Sequence, residues 1–246
     1  MNYVSVATLN RDAFEFAQRI PPEVDSIVGI ERSGLLAAAL VAKYANKSMI
    51  PKGKILLMDD SVLKGRAMAV AKKTMVPYMT AAMYVKPGME TKVDLYHKVV
   101  PCPRFFEWNL WHHPKLSKVC MDIDGVLCRD PTRKENDNGP GYERFIESVE
   151  PRIRPQVTIG WLVTCRLEQY RPQTEAWLKQ HAIRYKHLVM CPGIKDRKRH
   201  KHSHHKVKIY TWTKALLFIE SSLIQATNMK LLTERPVLCT ETMELV

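Results

Sequence analysis

Short apolar runs that stop on an acid, a glycine or a threonine and give way to a helical stretch recur along nearly the whole chain. This alternation restricts the fold more than any other feature. Ser26-Ile-Val-Gly-Ile30 precedes the Ala- and Leu-rich stretch Gly34 to Tyr44, Lys54-Ile-Leu-Leu-Met58 precedes a helical pattern from about Gly65 to Lys73, and Thr80 to Val85 reads as a further strand. Apolar strands alternating with helices are the pattern of a parallel sheet, in which ligands sit at the strand C-termini. The second half repeats it: strand Lys118 to Ile123, helix Tyr142 to Val149, strand Thr158 to Thr164, helix Pro172 to His181, strand Tyr185 to Met190, helix Val207 to Lys214, strand Ala215 to Ile219, helix Leu223 to Leu232, and a last strand at Val237-Leu-Cys239. Between the two series lies Pro101 to Pro114, rich in proline and aromatic residues. The predicted fold class is therefore α/β, with two doubly wound parallel-sheet domains in tandem, residues 1–114 and 115–246. The length of 246 residues fits two domains against a prior of roughly 150 residues each.

Composition narrows the setting. No stretch approaches the roughly 18 apolar residues of a membrane span, so no membrane partner is expected. The N-terminal residues show no basic region followed by an apolar core, which makes the cytoplasm the expected compartment. Six cysteines lack any Cys-x-x-Cys spacing and read as reduced thiols. The net charge of +13 points to anionic ligands, and much of it sits in the basic run Arg197 to Lys208. That run has the composition of a nucleic-acid or polyphosphate contact and equally that of a solvated loop. Its four histidines, His200, His202, His204 and His205, have no acidic or cysteine companion to complete a metal site. A homo-oligomer is allowed by the sequence.

The second half carries a reaction. Hydrolysis of a phosphate monoester needs a positioned nucleophile, a proton donor and strong charge neutralisation. Asp122 and Asp124 alternate at a strand end, where the period of two sends both carboxylates the same way, and Gly125 lets the chain turn. Two like charges in an oxygen-rich site call for a cation such as Mg2+. Val-Cys-Met-Asp122-Ile-Asp124-Gly-Val-Leu resembles the first motif of the haloacid dehalogenase-like superfamily, Trp161-Leu-Val-Thr164 the second, Lys206 the third and Phe218-Ile-Glu220-Ser221 the fourth. The resemblance covers about Lys118 to Val246 and implies a Rossmann-like phosphohydrolase with a minimal cap and an open site. It further implies that Asp122 forms an aspartyl-phosphate, that Asp124 protonates the leaving group and then activates water, and that Thr164 and Lys206 hold phosphoryl oxygens. Asp122, Asp124 through its carbonyl, and Glu220 would hold Mg2+, and Arg166 would grip a second anionic group of the substrate. Two positions depart from the pattern. Ser221 and Ser222 follow Glu220 where two acids are usual, and Lys208 or Lys214 could stand in for Lys206.

The first half has a second acid pair. Lys54-Ile-Leu-Leu-Met-Asp59-Asp60-Ser61-Val-Leu-Lys64-Gly65-Arg-Ala-Met resembles the phosphoribosyl-pyrophosphate signature of type I phosphoribosyltransferases, and Ile27-Val-Gly-Ile-Glu-Arg32-Ser33-Gly34 resembles their pyrophosphate loop. Asp59 and Asp60 would accept ribose hydroxyl protons, Ser61, Lys64 and Gly65 would face the 5′-phosphate, and Arg32, Ser33 and Gly34 the diphosphate. Phe105 to Trp111 resembles the aromatic tail of purine-specific members, though aromatic core packing explains it better. Only Ala45 to Gly53 separates the loop helix from the next strand, where the family usually has a long mobile loop. The leading expectation is a magnesium-dependent phosphohydrolase of nucleotide metabolism, fused to a domain that binds phosphoribosyl pyrophosphate or a nucleotide. The alternatives are a ligand sensor with a non-catalytic first half and a nucleic-acid end-processing phosphatase.

Overall fold

The computed structural model describes residues 1–193 and 202–246. The first five residues of the basic run, Arg197 to Lys201, and with them His200, lie outside the described residues. The chain forms two compact units, Met1–Asn109 and Leu110–Val246, so the division falls a few residues before Pro114. Both are α/β with parallel sheets.

The first unit runs β1 (Asn2–Val4), α1 (Val6–Ala17), β2 (Ser26–Gly29), α2 (Ser33–Ala45), β3 (Ile55–Val62), α3 (Arg66–Thr74), β4 (Met79–Val85), β5 (Leu95–Val99) and β6 (Arg104–Phe106). Strands β2-β3-β4-β5 form one parallel sheet in that order, and β1 pairs with β6 in a separate parallel ribbon. The period of two along β3 divides its apolar side chains between the two faces. Leu56 and Met58 join Leu9, Phe16 and Val41 of α1 and α2, whereas Leu57 joins Met68 of α3. Ser5 caps α1 by accepting a hydrogen bond from the Thr8 amide at 3.1 Å, which satisfies one of the orphan donors of the first turn.

The second unit runs β7 (Cys120–Met121), α4 (Pro140–Ser148), β8 (Ile159–Leu167), α5 (Arg171–Gln180), β9 (Tyr185–Cys191), α6 (His202–Thr213), β10 (Phe218–Glu220), α7 (Leu223–Thr233), β11 (Val237–Cys239) and β12 (Glu244–Leu245). The sheet order is β12-β11-β10-β7-β8-β9, parallel throughout except for β12. The order therefore reverses between β7 and β10, and the carboxyl ends of those two strands flank a topological switch point, where open α/β sheets bind their ligands. The expected strand Lys118 to Ile123 contracts to two paired residues, because the chain turns at Ile123, whose carbonyl accepts from the Val126 and Leu127 amides. The helix expected from Val207 begins instead at His202, since nothing in His-Ser-His-His-Lys breaks a helix, and it carries Lys206 with it.

Trp177 of α5 is buried and donates its indole N–H to the Val149 carbonyl at 2.6 Å, tying α5 to the end of α4. Trp177→Ala should cost about 3–5 kcal/mol of stability, read as a lowered urea midpoint of the intact protein. An unchanged midpoint would contradict this packing.

Candidate functional site

At the switch point the sheet delivers Asp122 immediately after β7, Glu220 as the last residue of β10 and Thr164 within β8. All three side chains are buried, as is Lys206, which reaches in from α6. Its ammonium donates to Asp122 Oδ2 at 2.5 Å, to Glu220 Oε2 at 2.6 Å and to Gln225 Oε1 at 3.2 Å. All three protons of the lysine are thereby satisfied. The neighbouring lysines need not substitute for it.

Glu220 is held from two sides. Its Oε2 accepts from Lys206, and its Oε1 accepts from the Ser221 amide at 2.9 Å and the Ser222 amide at 3.2 Å. Glu220 thus anchors the lysine, and its carboxylate keeps lone pairs that a cation could use. The serines that replace the usual acids have their own work. Ser222 caps α7 through the Gln225 amide, and Gln225 in turn reaches Lys206.

Asp124 is gripped from several directions. Arg166 donates through Nε to both carboxylate oxygens (3.1 and 3.2 Å) and through a terminal nitrogen to Oδ1 at 2.6 Å, while the Tyr142 hydroxyl donates to Oδ2 at 2.8 Å. Burial alone would raise the Asp124 pKa, but Arg166, Tyr142 and Cys128 outweigh it and hold the group below its ordinary value. Arg166, expected to face a second substrate anion, is committed to Asp124 instead and does not line the cavity. The reason is geometric: at the end of β8, with its own amide donating to Thr164 Oγ1 at 3.2 Å, Arg166 has the nearest unpaired carboxylate at Asp124. An Asp124 kept ionised is suited to accept a proton from water, whereas acting as an acid requires overcoming Arg166.

Asp122, Asp124, Thr164 and Lys206 line one wall of a cavity of about 570 Å3, with Asp130 and Arg152 among the other lining residues. Sequence reasoning missed Asp130, Tyr142, Arg152 and Gln225. None belongs to a periodic pattern that points at Asp122; only Ser222-Leu-Ile-Gln225, a helix-start signature, offered a local clue. Gly125 adopts φ +79°, and a Cβ there would stand 2.2 Å from Ser221 Oγ and 2.8 Å from Asp130 Oδ2. Any side chain would push the turn away from both.

Charge decides which cofactor fits. Asp122, Asp124 and Glu220 face only Lys206 and Arg166, an excess of one negative charge. Burial, together with Glu220 and Asp124, lifts Asp122 to about 7 even against Lys206. Asp122 and Glu220 override burial and push Lys206 above its ordinary value, so the lysine is cationic. The donors a cation could use are all oxygens: Asp122, Glu220, the Asp124 carbonyl, Ser221 and Asp130, of which Asp122 and Glu220 already accept protein hydrogen bonds. Few protein oxygens with room for water suit Mg2+, which keeps part of its hydration shell and seldom has an all-protein cage.

In the first unit Asp59 and Asp60 lie near the end of β3 and are buried. Asp60 Oδ2 accepts from the Trp108 indole at 2.7 Å and the Asn109 amide at 3.4 Å. Asn109 also accepts from Ser33 at 2.9 Å and from Arg32 at 3.5 Å, so the acid pair and the loop before α2 share one polar network. Gly34 permits the approach, for a Cβ there would meet the Met58 carbonyl at 2.8 Å and Asp59 Oδ1 at 3.2 Å. Ser61 ends β3 beside Val62, and exposed Lys64 with Gly65 (φ +71°) forms the turn into α3. Burial, then Asp60, lifts Asp59 to about 7, and burial raises Asp60.

No protein-family model and no curated protein matches the chain. Among solved structures it is similar to a purine phosphoribosyltransferase from Pyrococcus horikoshii at 18% identity, over 44% of this chain and 95% of that one, with a TM-score of 0.38. A xanthine-guanine-hypoxanthine phosphoribosyltransferase from Helicobacter pylori matches at 18% identity, over 44% of this chain and 92% of that one, with a TM-score of 0.38. A hypothetical protein from Neisseria gonorrhoeae with bound ppGpp matches at 11% identity, over 44% of this chain and 89% of that one, with a TM-score of 0.36.

Asp59 and Asp122 each bind a proton more tightly folded than unfolded, where the value is near 3.8. The stabilisation is fully present below about pH 4 and is lost as pH rises through about 7. With chelator present, the melting temperature should therefore fall across that interval. Asp59→Asn and Asp122→Asn should each flatten the slope, and a melting temperature that rises with pH would refute the sign.

Proposed function

We propose that the chain is a magnesium-dependent phosphohydrolase whose second unit works through an aspartyl-phosphate on Asp122, in the manner of the haloacid dehalogenase-like superfamily. The observation that carries the reading is the Lys206 ammonium held between Asp122 and Glu220, at the switch point and on the wall of the cavity. In this reading Asp122 Oδ1 attacks phosphorus in line, the bond to the leaving oxygen breaks, and that oxygen takes its proton from solvent in the open cavity, to which Asp124 later returns the proton it draws from the hydrolytic water. Lys206 pulls the raised Asp122 back toward its carboxylate form and, with Thr164, faces the phosphoryl oxygens. Asp124 then takes a proton from the water that hydrolyses the acyl phosphate and returns Asp122 as a carboxylate. Bound Mg2+, held by Asp122, the Asp124 carbonyl, Ser221 and water, supplies charge neutralisation for the incoming phosphate. With Arg166 withheld, Arg152 is, among the described residues, the arginine on the cavity wall placed to meet a second anionic group.

For the first unit the reading is a type I phosphoribosyltransferase-like domain that binds phosphoribosyl pyrophosphate or a nucleotide. Use as a sensor is favoured over transfer by one observation: Trp108 and Asn109 already occupy the Asp60 oxygen that a ribose hydroxyl would need. The substrate class of the whole protein is then a nucleotide-related phosphate.

A phosphate-release screen of the intact protein with Mg2+, across nucleotides, sugar phosphates and phosphorylated oligonucleotides, tests the first reading. Asp122→Asn should lose at least about a thousandfold in kcat with its fold retained. Equal activity in both proteins would overturn the assignment. Calorimetry with phosphoribosyl pyrophosphate and Mg2+ tests the second, where Asp60→Asn should weaken binding, and turnover with any base would refute the sensor.

A further inference from the structure

A second polar cluster lies on the α1 side of the first unit. Asp12 and Glu15 stand one turn apart on α1, and His97 lies on β5, the edge strand of the four-stranded sheet. His97 Nε2 is 3.7 Å from Asp12 Oδ1 and 3.5 Å from Glu15 Oε2. Its side chain is 8% exposed, and neither ring nitrogen has a hydrogen-bond partner, although both are buried. A buried imidazole facing two carboxylates would ordinarily be charged and hydrogen-bonded to one of them. Here burial instead pulls His97 below its ordinary value, against the pull of Asp12, which leaves a neutral ring with a lone pair to offer.

From this geometry we infer that Asp12, Glu15 and His97 form a binding site for a divalent transition-metal cation of the Zn2+ type, separate from both acid-pair sites. The spacing fits. Ligand atoms about 2.1 Å from a tetrahedral ion lie about 3.4 Å from one another, and the three ligand atoms all fall within 4.8 Å of one another. One nitrogen and two carboxylates suit Zn2+, Mn2+ or Fe2+ better than the oxygen-seeking Mg2+. Asp12 is held in place from behind, as its Oδ2 accepts from the buried Tyr84 hydroxyl at 2.9 Å, leaving Oδ1 turned to the cluster. The Lys98 ammonium lies 2.6 Å from that same Oδ1, but its side chain is 47% exposed on a flexible stem, so an arriving dication displaces it into water. The cation would clamp α1 to the edge strand.

Cobalt titration of the chelator-stripped intact protein provides the test, because four-coordinate Co2+ absorbs strongly in the visible and six-coordinate Co2+ weakly. The wild type should bind one Co2+ with the intense spectrum, displaced by Zn2+. Glu15→Gln, at an exposed position, should lose at least tenfold in affinity, and His97→Gln should lose the intense band. Lys98→Met, with the competing ammonium gone, should bind at least threefold more tightly. Asp122→Asn and a variant with His200, His202, His204 and His205 all changed to Gln should keep the spectrum. The inference is overturned if His97→Gln and Glu15→Gln bind as wild type does, if Lys98→Met weakens binding, or if the four-histidine variant is the one that loses the band.

Discussion

Lys206 sits where the charge problem of the second unit is solved. Three carboxylates converge at the carboxyl ends of β7 and β10, and their mutual repulsion in a buried site would be severe without a cation between two of them. The ammonium joins strands that are neighbours in the sheet but almost a hundred residues apart in sequence, and it reaches them from α6. Removing it would leave two buried acids uncompensated, the costliest way to break such a pair. The short β7, the capped start of α7 and the placing of Gln225 all serve to hold that one ammonium.

Arg166 resolves the remaining part of the same problem and in doing so divides the labour of the two aspartates. Asp122 is left with a lysine that is itself shared, and burial raises it; Asp124 has a guanidinium to itself, and it stays ionised. Residues two apart in the turn after β7 thus acquire proton affinities shifted in opposite directions, the separation that assigns acid and base roles in a site.

Much of this was legible in the sequence, and the limits have physical causes. Local pattern reveals strands, helices and the acids at their ends, because periodicity and turn chemistry are local. So Asp122, Asp124, Thr164, Lys206 and Glu220 could be singled out, as could Asp59 and Asp60. Partnership was not legible. Whether Arg166 faces a substrate or Asp124, and whether Glu220 faces a metal or Lys206, depends on where side chains separated by 42 and 14 positions come to rest. The same holds for His97, which is 85 positions from Asp12 by number and joins it only because β5 lies at the edge beside α1. Element boundaries slipped for a simpler reason: nothing in His202 to Lys206 stops a helix, so α6 begins earlier than its apolar stretch implies.

The two acid pairs differ in how their members are held. Asp122 and Asp124 are separated by one residue and line the same cavity. Asp59 and Asp60 are adjacent and their carboxyl groups hydrogen-bond to each other, while Asp59 also lies against Gly34 at the start of α2 and Asp60 is fastened to Trp108 and Asn109. Trp108, which donates to Asp60, belongs to an aromatic stack with Phe106 and Tyr84. Tyr84 holds Asp12, so occupancy at the acid pair and the geometry of the Asp12, Glu15 and His97 cluster are joined through contiguous packed groups.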